Sequence, residues 1–583
     1  MIDNGDTNPA TFNLLDEPWI RCIDMEGNPR VVSIRDIFDG RVRVAKIVGE
    51  SPTQDYAVIR VLLAIFWRAH AQEISEALPT SRRDDSFDWG EWFEETRESL
   101  RDSDRDDVVL DYLETYEDRF DLLDEKQPFM QVADLHTKSG ETKSVSMIVP
   151  EAAGAFFTMR AAEERESLSF AEAARWLVHA QAYDYSGIKS GAVGDERVTG
   201  GKGYPIGTGW SGQTGGTLIL SPYGLLDTLI LNTAPEAVNQ SATARDLSGD
   251  LPVWERPQDS AAQRPGSDPK EGAAPQGAAD LATWQSRRIR LHVEGGRVRR
   301  VVLANGDRIP AAGKNAFGDP MTPYRYSPNQ STQTEDAYYP RPYDETRTMW
   351  KSLDALVAVT GDAGFTKKVK APVRPATLSN LAYLSADGYL ETRVLDLALV
   401  SMVYGPNESS VGTTFSASIG LPLAVLRTDD TGTRVREAVR TAVEKTRAAA
   451  VSVGWFAGQL LVAAGGDYEF GAAAADRLYA RLEPSFIDWL ATVDAENVDK
   501  RARQWQFAVL EEALDQAVEL VRGAGQKAIV GRITDADEKG HGRIVSAGTL
   551  HQAFRRRLNK DLPLTVPEPE DQDSTEEKDE VHA

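Results

Sequence analysis

The densest run of residues suited to recognition lies between positions 187 and 216. It reads Gly187-Ile-Lys-Ser-Gly-Ala-Val-Gly, and then, from Gly200, Gly-Gly-Lys-Gly-Tyr-Pro-Ile-Gly-Thr-Gly-Trp-Ser-Gly-Gln-Thr-Gly-Gly. Glycine loses the most backbone entropy on ordering, so this segment must be held by something. By letters, Gly207-Thr-Gly209-Trp-Ser-Gly212 matches a dinucleotide fingerprint. That fingerprint works only where a helix follows and holds the pyrophosphate at its N-terminus. Here a strand, 217–220, is expected instead. Gly201-Lys202-Gly203 is no P-loop, because glycine follows the lysine and Glu196 stands where the first glycine belongs.

Other chemistry is sparse. His70, His136, His179, His292, His541, His551 and His582 form no paired helical zinc motif. Cys22 is the single cysteine, which excludes an intramolecular disulfide and any cysteine-built zinc or iron–sulfur centre. No serine sits in a nucleophile elbow, and among 90 acidic residues no pair stands out. The expectation is a binding subunit with no catalytic residue, cofactor or metal. A nucleotide-binding enzyme using the glycine loop, or a purely structural scaffold, are the alternatives.

The chain has 583 residues, with 65 Lys and Arg against 90 Asp and Glu, a formal charge of −25. This length predicts several domains, and 41% hydrophobic residues exclude wholesale disorder. The acidity argues against a protein that coats nucleic acid with its whole surface, so any contact with DNA or RNA needs local basic patches or partners that supply positive charge. The start lacks the order of a signal peptide. The early apolar run, 61–67, is far short of the ~20 residues that span a bilayer. A reduced, cytoplasmic setting with no membrane partner is expected.

The elements that position the glycine segment follow from patterning. A hairpin is expected from 19–23 and 31–34, then a helix over 34–38 capped by Ser33 and ended by Gly40. A strongly apolar helix covers 54–77, and acidic amphipathic helices cover 86–122. Residues 256–280, rich in Pro, Gly, Ala, Gln and Ser, read as a flexible insertion. A basic hairpin turns at Gly295-Gly296 between Arg287 and Leu303. Helices at 433–463, 471–493, 498–523 and 545–560 suggest a bundle, with a possible kink at Pro484. The fold class is α+β: a mixed N-terminal domain, 1–425, a C-terminal four-helix bundle, 426–565, and a disordered acidic tail, 566–583.

The opening Phe12-Asn-Leu-Leu-Asp-Glu-Pro-Trp-Ile and the later Gln127-Pro128-Phe129-Met130-Gln131 resemble landmarks of the CasA family, the large subunit of the type I-E CRISPR surveillance complex Cascade. The order of parts agrees over most of the chain. The resemblance implies a subunit that recognises the protospacer-adjacent motif in double-stranded DNA, helps open the duplex for guide RNA pairing, and recruits a helicase-nuclease. Implied partners are the guide crRNA and the backbone, small and handle-binding Cascade subunits.

The resemblance also implies sites. A glycine loop enters the minor groove, matched here by Gly200, Gly201, Lys202, Gly203, Gly207 and Gly209. The groove mainly separates A·T from G·C, so readout by backbone and lysine is permissive. A lysine finger is matched by Lys314. A wedge that parts the first base pairs is matched by Tyr404-Gly-Pro-Asn-Glu-Ser-Ser, with Asn407, Glu408 and Ser409 at its tip. The family has glutamine where Glu408 falls, and a carboxylate is repelled by phosphates. A guide RNA contact is matched by Phe156, Phe157 and Thr158. Some relatives carry a cysteine cluster that this chain lacks, so no zinc site is carried over. Further phosphate contacts are expected from the 287–300 hairpin and from Arg501, Arg503, Arg543, Arg555, Arg556, Arg557 and Lys560.

Overall fold

A computed structural model describes residues 11–77, 87–150, 166–238, 249–343, 348–366, 368–534 and 542–566. Phe156, Phe157, Thr158 and the acidic tail beyond 566 lie outside the described residues. The chain divides into two units, Met1–Arg436 and Glu437–Ala583.

In the first unit, Ile20–Asp24 pairs antiparallel with both Pro29–Val32 and Val44–Ile47. The helix Ile34–Phe38 starts at a capping box: the Ser33 hydroxyl accepts the Asp36 N–H, and the Asp36 carboxylate accepts the Ser33 N–H. Gly40 ends it with φ +75°. The apolar run 61–67 forms the middle of the helix Pro52–Ala77 and is wholly buried. This helix is the spine of the unit. Gly216 approaches it so closely that an added Cβ would meet the Tyr56 ring at 2.4 Å.

The spine also carries buried charges. Arg60 pairs with Asp319 at 2.5 Å, and Arg68 pairs with Glu255 at 2.8 Å. The His70 imidazole bridges Asp106 at 3.1 Å and Glu73 at 3.0 Å. Burial alone would lower its pKa, but the two carboxylates outweigh it and raise the pKa from 6.5 to about 9. The stability that this raised pKa gives is full below pH 6.5 and is lost as pH rises through about 9. Denaturant midpoints measured from pH 6.5 to 9 should therefore fall for the parent chain and stay flatter for His70→Gln.

Two sheets follow, one packed on the spine and the other on the helix Phe170–Tyr183. In one, Val394–Tyr404 lies between Val411–Pro422 and Gly216–Leu220, all antiparallel. In the other, the long hairpin Arg287–Glu294 and Arg297–Asn305 gathers the short strands Lys143–Ser144, Lys189–Ser190 and Lys202–Gly203. The amphipathic helices Trp89–Ser103 and Asp107–Thr115 start at the caps Asp88 and Asp106.

Residues 256–280 are packed rather than flexible. Arg264 pairs with Asp280 at 2.9 Å and with Asp307 at 3.1 Å, and it lies over the Trp284 ring. Composition marked the segment as a linker, but one arginine with two buried acids fixes it.

The second unit holds most of the helix Asp430–Ala464, then Ala472–Leu490, Val498–Val530 and Ala547–Asp561. These are the four expected helices. The unit boundary falls at 436 rather than 425 because Arg436 belongs to the first core. Its guanidinium pairs with Asp362 at 3.0 Å and donates to the carbonyls of Val425 and Arg427. Pro484 lies inside its helix, and Val498–Val530 continues past Gly523 with one left-handed residue, Gly525. The small hairpin Arg532–Thr534 and Arg543–Val545 had no patterning signal. Asp430–Ala464 is long and apolar enough to cross a membrane by composition, yet half of its most apolar stretch is buried. The bundle core stacks Phe456 on Phe554 at 4.8 Å, and Trp505 donates to Thr446.

Candidate nucleic-acid interface

The glycine segment separates into parts with different duties. Thr199 and Lys202 exchange backbone hydrogen bonds of 3.1 and 3.2 Å across Gly200 and Gly201. The two glycines have φ +61° and +74°, a two-residue turn that L-residues resist. A Cβ on either would meet nothing within 4 Å. The tip Gly200-Gly201-Lys202 is exposed, and no carboxylate among the described residues pairs with Lys202. Gly207 is half-buried with φ +106° and has open space around it.

Gly203 and Gly209 are different. A Cβ on Gly203 would meet the Asn305 amide at 2.9 Å, and one on Gly209 would meet the Ala182 carbonyl at 2.3 Å. Both are buried. Gly203 is crowded by the Asn305 side chain and Gly209 by the Ala182 backbone, so both face the protein's own interior. The resemblance had placed all six residues on one loop; only Gly200, Gly201, Lys202 and the half-buried Gly207 face outward.

A buried charge hub holds this segment. The Asp184 carboxylate takes the Arg287 guanidinium and, at 2.6 Å, the Lys189 ammonium. All three side chains are at most 5% exposed. Arg287 also donates to the carbonyls of Asp184, Tyr185 and Gly207. Gly209 N–H donates to the Asp184 carbonyl at 3.2 Å. Burial lowers the Lys189 pKa to about 8, against the opposing pull of Asp184.

The same hub reaches the turn that the resemblance matched to the wedge. Ser186 N–H donates to the Glu408 carbonyl at 2.8 Å, and the Tyr404 hydroxyl donates to the Tyr183 carbonyl at 2.6 Å. Residues 406–410 form an exposed turn at the end of the long hairpin. Asn407 and Glu408 have φ +56° and +54°. Successive non-glycine residues in this region are strained, and such strain gathers at functional sites. Glu408 anchors the turn through its backbone, which leaves Asn407 and Ser409 at the exposed tip.

Lys314 sits in a third strained segment. Ala311, Ala312, Gly313 and Asn315 have φ +46°, +52°, +75° and +55°. Of seven described non-glycine residues with positive φ, five lie in this segment and the wedge. Gly313 abuts Trp210, whose indole donates to Asp319, so the segment rests on the end of the glycine run. The Lys314 ammonium is held by Glu335 at 3.0 Å.

The basic hairpin is not a phosphate surface at its base. Arg287 and Arg288 are 1% exposed, and Arg288 pairs with Asp307 at 2.7 Å. Arg290 and Arg300 donate to the carbonyls of Asp124 and Thr142. In the second unit, Arg503, Arg543, Arg555, Arg556, Arg557 and Lys560 are exposed and Arg501 is half-buried. Cys22 is buried in its strand, and burial raises its thiol pKa to about 11. No three metal-ligating side chains converge among the described residues.

A family model described as CRISPR-associated protein Cse1 matches residues 13–516. The chain belongs to the Cse1 (CasA) family. The curated CRISPR-associated protein CasA/Cse1 of Thermus thermophilus is 29% identical over 356 residues, covering 60% of this chain and 61% of the relative. The chain thus aligns with about three fifths of that relative's length. The crystal structure of Thermobifida fusca Cse1 is 35% identical with a TM-score of 0.77, covering 95% of this chain and 98% of that one. Cse1 from Acidimicrobium ferrooxidans is 25% identical with a TM-score of 0.71, covering 96% and 99%. The α+β fold with its C-terminal helical region agrees with these Cse1 structures. In this Cse1 chain the residues invisible to sequence reading were Asp184 and Ser186, which link the glycine turn to the wedge. Their partners lie 103 and 222 positions away, and no local pattern marks such pairs.

Proposed function

We propose that this Cse1 is the large subunit of a type I-E Cascade ribonucleoprotein that reads the protospacer-adjacent motif in duplex DNA. It then helps open the duplex for guide RNA pairing and presents the target to a recruited helicase-nuclease. Catalysis resides in that recruited enzyme, in the cytoplasm, and this chain needs no cofactor. Guide RNA pairing reads the sequence, and this subunit reads only the flanking motif.

The observation that carries the reading is the convergence of two exposed left-handed turns, at 200–201 and 407–408, on one buried hub at Asp184. A side-chain-free turn lets backbone approach base edges in the minor groove, and a stiff turn beside it can separate a base pair. A structure described as a CRISPR RNA-guided surveillance complex contains a chain of this fold, 17% identical with a TM-score of 0.64.

The experiment is a gel shift of the reconstituted complex on duplexes that differ only in the flanking trinucleotide. Affinity should vary by at least about tenfold among variants, the equivalent of one good base contact. Equal affinity for all would end the proposal. Lys314→Ala should weaken binding to every duplex to a similar degree, as loss of a phosphate contact does. Glu335→Gln, which frees the lysine, should not weaken it.

A further inference from the structure

A cavity of about 780 Å³ opens beside the wedge turn, within the usual size of small-molecule sites. One wall is the helix Phe170–Tyr183 and the residue after its cap, giving Trp176, His179, Tyr183 and Tyr185. The rings form a ladder: Trp176 meets His179 edge-on at 5.1 Å, and His179 stacks on Tyr183 at 5.2 Å. The facing wall is the 406–410 turn and the strand after it, giving Ser409, Ser410, Thr413 and Thr414, of which Ser409 and Thr413 donate to the carbonyls of Pro406 and Thr414. Met402 adds an apolar surface.

The charge of the lining narrows the ligand. No lysine or arginine lines the cavity, and its two carboxylates are already paired, Glu50 with Arg175 and Asp184 with Arg287 and Lys189, so the lining offers a phosphate no cation. His179 places Nε2 3.1 Å from the Thr53 hydroxyl, and its Nδ1 is buried without a partner. Burial pushes its pKa down to about 3, so the ring is neutral at pH 7. An aromatic wall facing small hydroxyl-bearing residues suits a flat group with a polar edge.

We infer that this cavity receives one unpaired nucleobase of the target DNA, taken from the first pair parted by the 406–410 turn. This rests on the proposed wedge role and extends it. A base forced out of a duplex loses its stacking and needs a new surface. Aromatic side chains supply that surface without regard to base identity, and hydroxyls satisfy the base edge. Ser409 and Ser410 belong both to the turn and to the cavity wall, so the displaced base has the shortest path into it. The sugar and phosphate stay outside, away from the two carboxylates.

The test uses the full reconstituted complex with guide RNA and a matched duplex. A photo-cross-linking p-benzoyl-phenylalanine at position 414 should join to a DNA nucleotide next to the flanking motif. Thr414→Trp, which blocks the mouth from an exposed strand position, and Tyr185→Ala should each slow strand opening by about tenfold, the equivalent of one lost base stack. Opening is followed by permanganate reactivity of unpaired thymines, and in Thr414→Trp, which lies outside the Asp184 hub, flanking-motif affinity should be unchanged. Cross-links only to guide RNA or to protein would overturn the inference. So would opening rates within twofold of the parent in both variants. If the wedge role itself is wrong, replacing Pro406–Ser409 by glycines leaves opening intact, and both readings then fall.

Discussion

Replacing Gly200 and Gly201 together by valine should abolish discrimination among flanking trinucleotides while leaving the fold in place. Both glycines hold positive φ, at +61° and +74°. Forcing L-residues there costs roughly 1–2 kcal/mol per residue, and β-branched residues resist it most. The Thr199–Lys202 turn would relax by changing type, which moves the tip and Lys202 with it. Nothing lies within 4 Å of an added Cβ, so no clash spreads to the core. Thermal midpoints should stay close to the parent while affinity for the preferred duplex drops by about tenfold or more, since 1.4 kcal/mol is tenfold. Gly203→Val serves as the contrast. Its Cβ meets the Asn305 amide, so it should lower stability as well as binding. Equal trinucleotide selectivity in the Gly200/Gly201 double variant and the parent would refute the turn's reading role.

The second large effect is expected from Asp184→Asn. The change keeps the shape and removes the anion that, among the described residues, pairs with both Arg287 and Lys189 in the hub. Breaking a buried ion pair by removing one partner destabilises by about 3–5 kcal/mol, because the remaining charge is stranded. The consequence should appear in two places at once. Hydrogen exchange should speed up at the Gly209 amide, which bonds the Asp184 carbonyl, and at the Ser186 amide, which bonds Glu408. Motif binding and strand opening should then weaken together. Loss of one without the other would show that the glycine turn and the wedge are independent.

Much of the frame was legible in the sequence because short-range patterns govern it. The Ser33 cap, the buried run 61–67, the Gly295-Gly296 turn and the four C-terminal helices all follow from local periodicity and turn chemistry. The site was legible only in outline. Counting glycines cannot separate Gly200, which is glycine for its φ, from Gly209, which is glycine because Ala182 is close. Counting arginines made the 287–300 hairpin look like a phosphate surface. Its first two arginines instead neutralise Asp184 and Asp307, partners that only the fold brings near. The left-handed Ala311 and Ala312 carry no sequence signal at all, since alanine, unlike glycine or asparagine, does not favour that backbone.

The burial of the hub has a consequence for how the protein responds to ionic strength. Mobile ions screen charges at the surface within about 8–10 Å near physiological salt, but they barely reach a pair sealed in the interior. In the proposed complex, added salt would weaken the duplex's hold on the exposed Lys202 while Asp184, Arg287 and Lys189 keep their grip on one another. On the proposed reading, the glycine turn would thus let go of its target without losing its shape, and dilution back to low salt would find it ready to engage again.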